Sequence, residues 1–126
     1  MLNQTGISKT SAMTRKNILI APELAFSLSC KVANTGVEAG ENGKKIVKAG
    51  TPLVGDAEAR DTAFTVGGAD STPCGILLHD VDVTAGTANA QFVIFGFVDS
   101  TKLDDSVVAM LTKEMKAKMP KITFIK

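Results

Sequence analysis

From Phe26 to Val32 the chain alternates strictly, with Phe26, Leu28, Cys30 and Val32 on one face and Ser27, Ser29 and Lys31 on the other. A period of two predicts a half-buried strand. Before it, Asn17–Ala21 is a short apolar segment ended by Pro22. After it, Gly36–Gly43 reads as a loop with Asn42-Gly43 as a turn signal. Lys45–Val47 predicts a short strand running into Ala49-Gly50-Thr51-Pro52, where Pro52 lacks an amide donor and marks an edge or a bend. Leu53 and Val54 resume the apolar pattern, Asp56–Asp61 is a charged exposed stretch, and Thr62–Val66 predicts a brief strand stopped by Gly67-Gly68.

The clearest hairpin signal follows. Gly75–Val83 and Gln91–Val98 are separated by the small-residue loop Thr84–Ala90. Continuous alternation in the first strand puts Leu77, His79, Val81 and Val83 on one face and Ile76, Leu78, Asp80 and Asp82 on the other. The second strand is apolar on both faces, which predicts a central strand covered on both sides. Leu103-Asp104-Asp105 introduces a helix running to about Met119, with Asp104 or Asp105 as its cap and Val107, Val108, Leu111, Met115 and Met119 as its buried stripe. Pro120 stops it, and Lys121–Lys126 predicts a last strand.

These elements predict a mainly β fold, a small barrel or a sandwich-like domain, with one C-terminal helix over about 105–119. The 126 residues suit a single domain, read as residues 17–126. Met1–Lys16 is rich in Ser, Thr, Asn and Gln and has no useful periodicity, so it reads as a flexible arm. With no Trp and no Tyr, the core rests on six Phe and on aliphatic residues.

Charge is unevenly placed along a chain of net charge +1. Residues 1–22 hold Lys9, Arg15 and Lys16 and no acid; residues 113–126 hold five Lys against Glu114; acids outnumber bases in between. Basic ends on an acidic body orient a molecule against a charged surface. The apolar run Phe92–Val98 is far shorter than the roughly 20 residues of a membrane helix, so no membrane is expected as a partner. Residues 1–16 are polar and show no secretory signal, so synthesis in the cytoplasm is expected.

Candidate chemistry is sparse. Cys30 and Cys74 match no zinc or redox spacing, and their apolar surroundings favour buried free thiols; a disulfide stays open on sequence alone. His79 with Asp80 and Asp82 is the nearest approach to a metal or acid–base constellation, but an unbroken strand points His79 away from both carboxylates. Glu114-Met115-Lys116-Ala117 superficially resembles the lysine tetrapeptide of biotin carriers, yet Lys116 sits in a helical pattern rather than a tight turn. No catalytic residue, cofactor or metal is therefore expected. Without Tyr or Trp to stack on bases, direct nucleic-acid binding is not expected either.

Three phrases in fixed order carry one further signal. Lys45-Ile46-Val47-Lys48-Ala49-Gly50-Thr51-Pro52-Leu53 is followed by Cys74-Gly75-Ile76-Leu77-Leu78-His79-Asp80-Val81-Asp82-Val83, and then by Gln91-Phe92-Val93-Ile94-Phe95-Gly96-Phe97-Val98-Asp99. Together they resemble the head decoration and head-fibre-base proteins of tailed bacteriophages, over residues 44–103. The resemblance implies a non-enzymatic virion protein on the outer capsid surface, made in the host cytoplasm, often a homotrimer, whose partner is the major capsid protein. Thr5, Lys9, Arg15 and Lys16 in the arm and Lys113, Lys116 and Lys121 near the C-terminus are the expected capsid or oligomer contacts. Two alternatives stand beside it: a head-fibre base or tail-tube component, and a small enzyme or carrier using His79 or Lys116.

Overall fold

A computed structural model of the chain describes residues 18–68 and 71–125. The arm Met1–Lys16 lies outside the described residues, and so do its candidate contacts Thr5, Lys9, Arg15 and Lys16. The fold is mainly β, with two short α-helices near the C-terminus. Its strands are β1 (Phe26–Val32), β2 (Ile46–Val47), β3 (Pro52–Val54), β4 (Thr65–Val66), β5 (Gly75–Leu77), β6 (Val81–Asp82), β7 (Ala88–Asp99) and β8 (Ile122–Ile125). Two short helices, α1 (Asp105–Met110) and α2 (Lys113–Ala117), precede β8.

β7 organises the molecule. The main sheet runs β1-β7-β5-β3-β4, and β8 also pairs with β7, in parallel. Along its first half β7 is flanked by β1 and β5, with Leu28 opposite Phe92 and Ile76 opposite Val93. Along its second half it is flanked by β8 and by Ile18–Ile20: the Asp99 amide donates to the Ile18 carbonyl at 2.8 Å, and the Ile20 amide to the Phe97 carbonyl at 2.9 Å. The doubly apolar pattern of this segment has its physical cause here. Phe92 points into one core with Cys30, Val32, Leu53, Phe64 and Leu77; Val93 points into another with Ile76, Leu78, Val107, Met115 and Met119.

The first core is drawn together by an extra tie. Phe64, just before β4, bridges Val32 at the end of β1: the Phe64 amide donates to the Lys31 carbonyl at 2.7 Å, and the Ala33 amide donates to the Phe64 carbonyl at 2.8 Å. This brings the two ends of the strand order together around the Phe64 and Phe92 rings, whose centroids lie 4.9 Å apart.

Four local expectations change. The stretch 105–119 is two helices rather than one. Thr112 caps the second by accepting the Met115 amide on Oγ1 at 3.2 Å, a competing bond worth about 1 kcal/mol that interrupts the run at Leu111. Val108 consequently leaves the buried stripe and is exposed. The strand read over Gly75–Val83 breaks at Leu78–Asp80, and β6 moves to a separate ladder with β2. Pro52 is neither at an edge nor in a bend: it opens β3, which lies between β5 and β4, and a missing amide is tolerated at the first residue of a strand.

Phe26 is the fourth change. The alternation places it with Leu28 and Cys30, but a register shift between Phe26 and Ser27 sets it opposite Phe95 and leaves it 54% exposed. Gly96, immediately after Phe95, has φ +153°, a conformation that favours glycine.

Candidate interaction surface

The three phrases that carry the resemblance fold into neighbouring strands. The first supplies β2 and β3, the second β5 and β6, and the third β7. β3 pairs with β5, β5 with β7, and β2 with β6. Most of their apolar side chains fill the two cores and present no chemistry to solvent.

His79 and Asp80 lie outside any strand, so strand alternation does not set their directions. Because the strand breaks at this point, both line one shallow groove of about 390 Å³ with Ser29, Asn89 and Gln91. Asp80 is committed to structure: Oδ1 accepts the Ala49 amide at 2.7 Å, and Oδ2 lies 3.9 Å from Lys48 Nζ. That bond holds the Ala49-Gly50-Thr51 turn, whose Gly50 amide donates to the Leu77 carbonyl at 2.7 Å. Asp82 serves a turn as well, accepting both the amide and the hydroxyl of Thr84. The Thr84 hydroxyl and then its amide hold the Asp82 carboxyl below the usual range, and Thr101 does the same for Asp99. Among the described residues no group of three His, Cys, Asp or Glu side chains is arranged to hold a metal ion.

The candidate lysines of the C-terminal part lie on α2 and the turn into β8. Lys113 and Lys121 are exposed. Lys116 is half-buried with its ammonium 5.3 Å from the centroid of the Phe124 ring. This cation–π contact gives Lys116 a packing role. Lys118, which the sequence reading did not single out, donates to the Ser71 carbonyl at 2.7 Å.

The most conspicuous surface feature is apolar, and sequence reasoning missed it. Leu24, Phe26, Phe95 and Ile20 are each more than 40% exposed. Phe26 and Phe95 are cross-strand partners, Leu24 lies in the 3-10 turn Pro22–Leu24 just before β1, and Ile20 sits beside Phe97. Large apolar side chains exposed on neighbouring elements in this way are a candidate association surface. An isolated glycine in an apolar strand is a bulge signal, so Gly96 was the available clue.

Both cysteines are free thiols, Cys30 buried and Cys74 partly so. Burial, and then the neighbouring Cys74, push the Cys30 thiol up to about 11, with Arg60 acting the other way. At pH 8 only about one Cys30 in a thousand is thiolate, and the thiolate is the reactive form. Cys30 is expected to react with an aromatic disulfide reagent at pH 8 at least a hundredfold more slowly in the folded chain than in urea. Equal rates in the two states would show that the thiol is not protected.

No protein-family model matches the chain, and no curated protein matches its sequence. Among the described residues no helix is long and apolar enough to cross a membrane.

Proposed function

We propose that this protein is a non-enzymatic structural component of a tailed-phage virion, which decorates the outer capsid surface and stabilises the shell. The observation that carries the reading is that the three family-like phrases pair with one another, in the ladders β3-β5-β7 and, separately, β2-β6. They supply framework, and the surface left around that framework is suited to association. The apolar rim of Ile20, Leu24, Phe26 and Phe95 and the exposed Lys113 and Lys121 provide contact area and charge, while Asp80, Asp82 and Lys116 are engaged within the fold.

In this reading the partner is the major capsid protein and the protein acts as a homotrimer at three-fold positions. Several modest contacts made at once on a symmetric shell give strong attachment without any single strong interface. The basic arm, residues 1–16, adds a charged contact with the shell.

The test is co-sedimentation with heads purified from the phage that encodes the chain. Saturable binding to expanded heads is expected at micromolar protein. Deleting residues 1–16 should leave the unfolding midpoint within a few degrees of the full chain while removing most head binding. Failure of the full chain to sediment with expanded heads overturns the capsid reading. Undiminished binding by the truncated chain overturns the role of the arm.

A further inference from the structure

β1 stands at one end of the strand order. In an antiparallel ladder the backbone groups of successive residues point alternately toward and away from the partner strand. Three bonds identify the side of β1 that faces away from β7. The Lys31 carbonyl accepts the Phe64 amide, the Ala33 amide donates to the Phe64 carbonyl, and the Ser29 carbonyl accepts from Arg60 Nη1 at 3.0 Å. Residues 27, 29 and 31 therefore aim their backbone groups outward. Among the described residues no backbone carbonyl outside the regular ladders accepts the amides of Ser27, Ser29 or Lys31.

The pairing that Phe64 begins is not continued. Beside β1 lies a gap of about 550 Å³, lined by Ser29, Cys30, Lys31, Arg60, Asp61 and Asn89. Arg60 spans it by side chain alone, donating to both the carbonyl and the hydroxyl of Ser29 at 3.0 Å. The run Ser27–Lys31 is in regular register and roughly 13 Å long at 3.3 Å per residue. Ser27 and Ser29 are small, so little side-chain bulk guards this edge.

We infer that the outer edge of β1 is a docking site for an extended segment of another protein, which adds to the sheet as a strand in the gap that Arg60 now spans. The surroundings define its chemistry. Lys31 and Arg60 against Asp61 leave a positive balance at one end, and exposed Leu24 and Phe26 flank the other. The fitting segment carries a carboxylate at the Lys31 end and a large apolar side chain at the Phe26 end. On docking, Arg60 turns from the neutral Ser29 carbonyl to that carboxylate, a stronger charge-assisted bond, and frees the carbonyl for the new ladder. A second copy fits poorly. Antiparallel pairing of two β1 strands about Ser29 would bring together two Arg60 guanidiniums, each held on its own Ser29. The inference rests on the geometry of β1 and stands whether or not the partner belongs to a capsid.

The test uses the full chain with two end-capped peptides, Phe-Thr-Val-Thr-Glu for parallel addition and Glu-Thr-Val-Thr-Phe for antiparallel addition. Residue-resolved amide exchange is the readout. One of the two at millimolar concentration should slow exchange of the Ser27 and Ser29 amides at least tenfold. Replacing its Glu by Gln should weaken binding about fivefold to the native chain and leave binding to Arg60→Ala unchanged. Replacing both Thr of the peptide by Pro, which removes ladder donors, should abolish the effect. No slowing at these two amides with either peptide, or slowing that survives the prolines, overturns the inference. Slowing that follows the protein's own concentration without peptide assigns the edge to a second copy and also overturns it.

Discussion

Truncating Phe92 to alanine is expected to lower stability by about 3–5 kcal/mol. Phe92 is fully buried at the centre of β7, opposite Leu28 on one side and Leu77 on the other. Its ring packs at 4.9 Å and 53° against Phe64, itself the residue that ties β4 to the end of β1. Removing the ring strips contacts from several strands at once and leaves a cavity that paired backbones on both sides cannot collapse to fill. Against a total of about 5–15 kcal/mol for a domain, the loss is about a fifth or more of what holds the fold. It should appear as a fall in the urea midpoint at unchanged slope. Phe92→Leu keeps most of the volume and should cost less than about 1.5 kcal/mol. A Phe92→Ala loss below about 1.5 kcal/mol would mean that the Phe64–Phe92 core is not the organising one.

Gly75→Ala is expected to be at least as damaging, for a different reason. A Cβ on Gly75 would lie 2.3 Å from the Val93 carbonyl oxygen and 3.1 Å from Phe92 Cδ2. The obstacle is backbone within the β5–β7 ladder, so no rotamer change relieves it. β5 must move away from β7, which breaks the join between the second and third phrases. A loss of about 3 kcal/mol or more, or failure to fold, is expected. Gly40→Ala is the control, because its Cβ would meet nothing closer than 3.6 Å. It should change the stability by less than about 0.5 kcal/mol. If Gly75→Ala behaves like Gly40→Ala, close β5–β7 packing is not what glycine serves there.

The β-rich class and the central position of β7 were legible because burial on one or both faces leaves a direct mark on residue pattern. Leu28, Cys30 and Val32 face the core as their alternation demands, although Leu28 is only partly buried. The capping role of Asp104 was readable too, since its side chain accepts the Ser106 amide within the next two residues. Local bonds are written in local sequence. Asp80 shows the limit: its partner is the Ala49 amide, 31 residues away, and that bond breaks an alternation that otherwise runs unbroken to Val83. Thr112 shows a subtler one, because a threonine inside an apolar helical stripe is compatible both with continuing the helix and with capping a new one.

The candidate surface divides in the same way. Lys113 and Lys121 were readable as exposed charges from their positions around a helix and its stop. The engagement of Lys116 with Phe124 and of Lys118 with Ser71 was not, since each partner comes from a separate element. Nor was the apolar rim, because a period of two assigns Phe26 to the core until a register shift against β7 turns it out.

By itself the sequence determined where most of the strands run, which strand is buried on both sides, and where the helical region starts. Tertiary structure alone decided which faces stay open: the rim at Phe26 and Phe95, the groove holding His79 and Asp80 together, and the outer edge of β1 spanned by Arg60. The physical reason is that a pattern of apolar and polar residues records whether a side chain is buried, whereas an exposed edge depends on which distant strand is absent beside it.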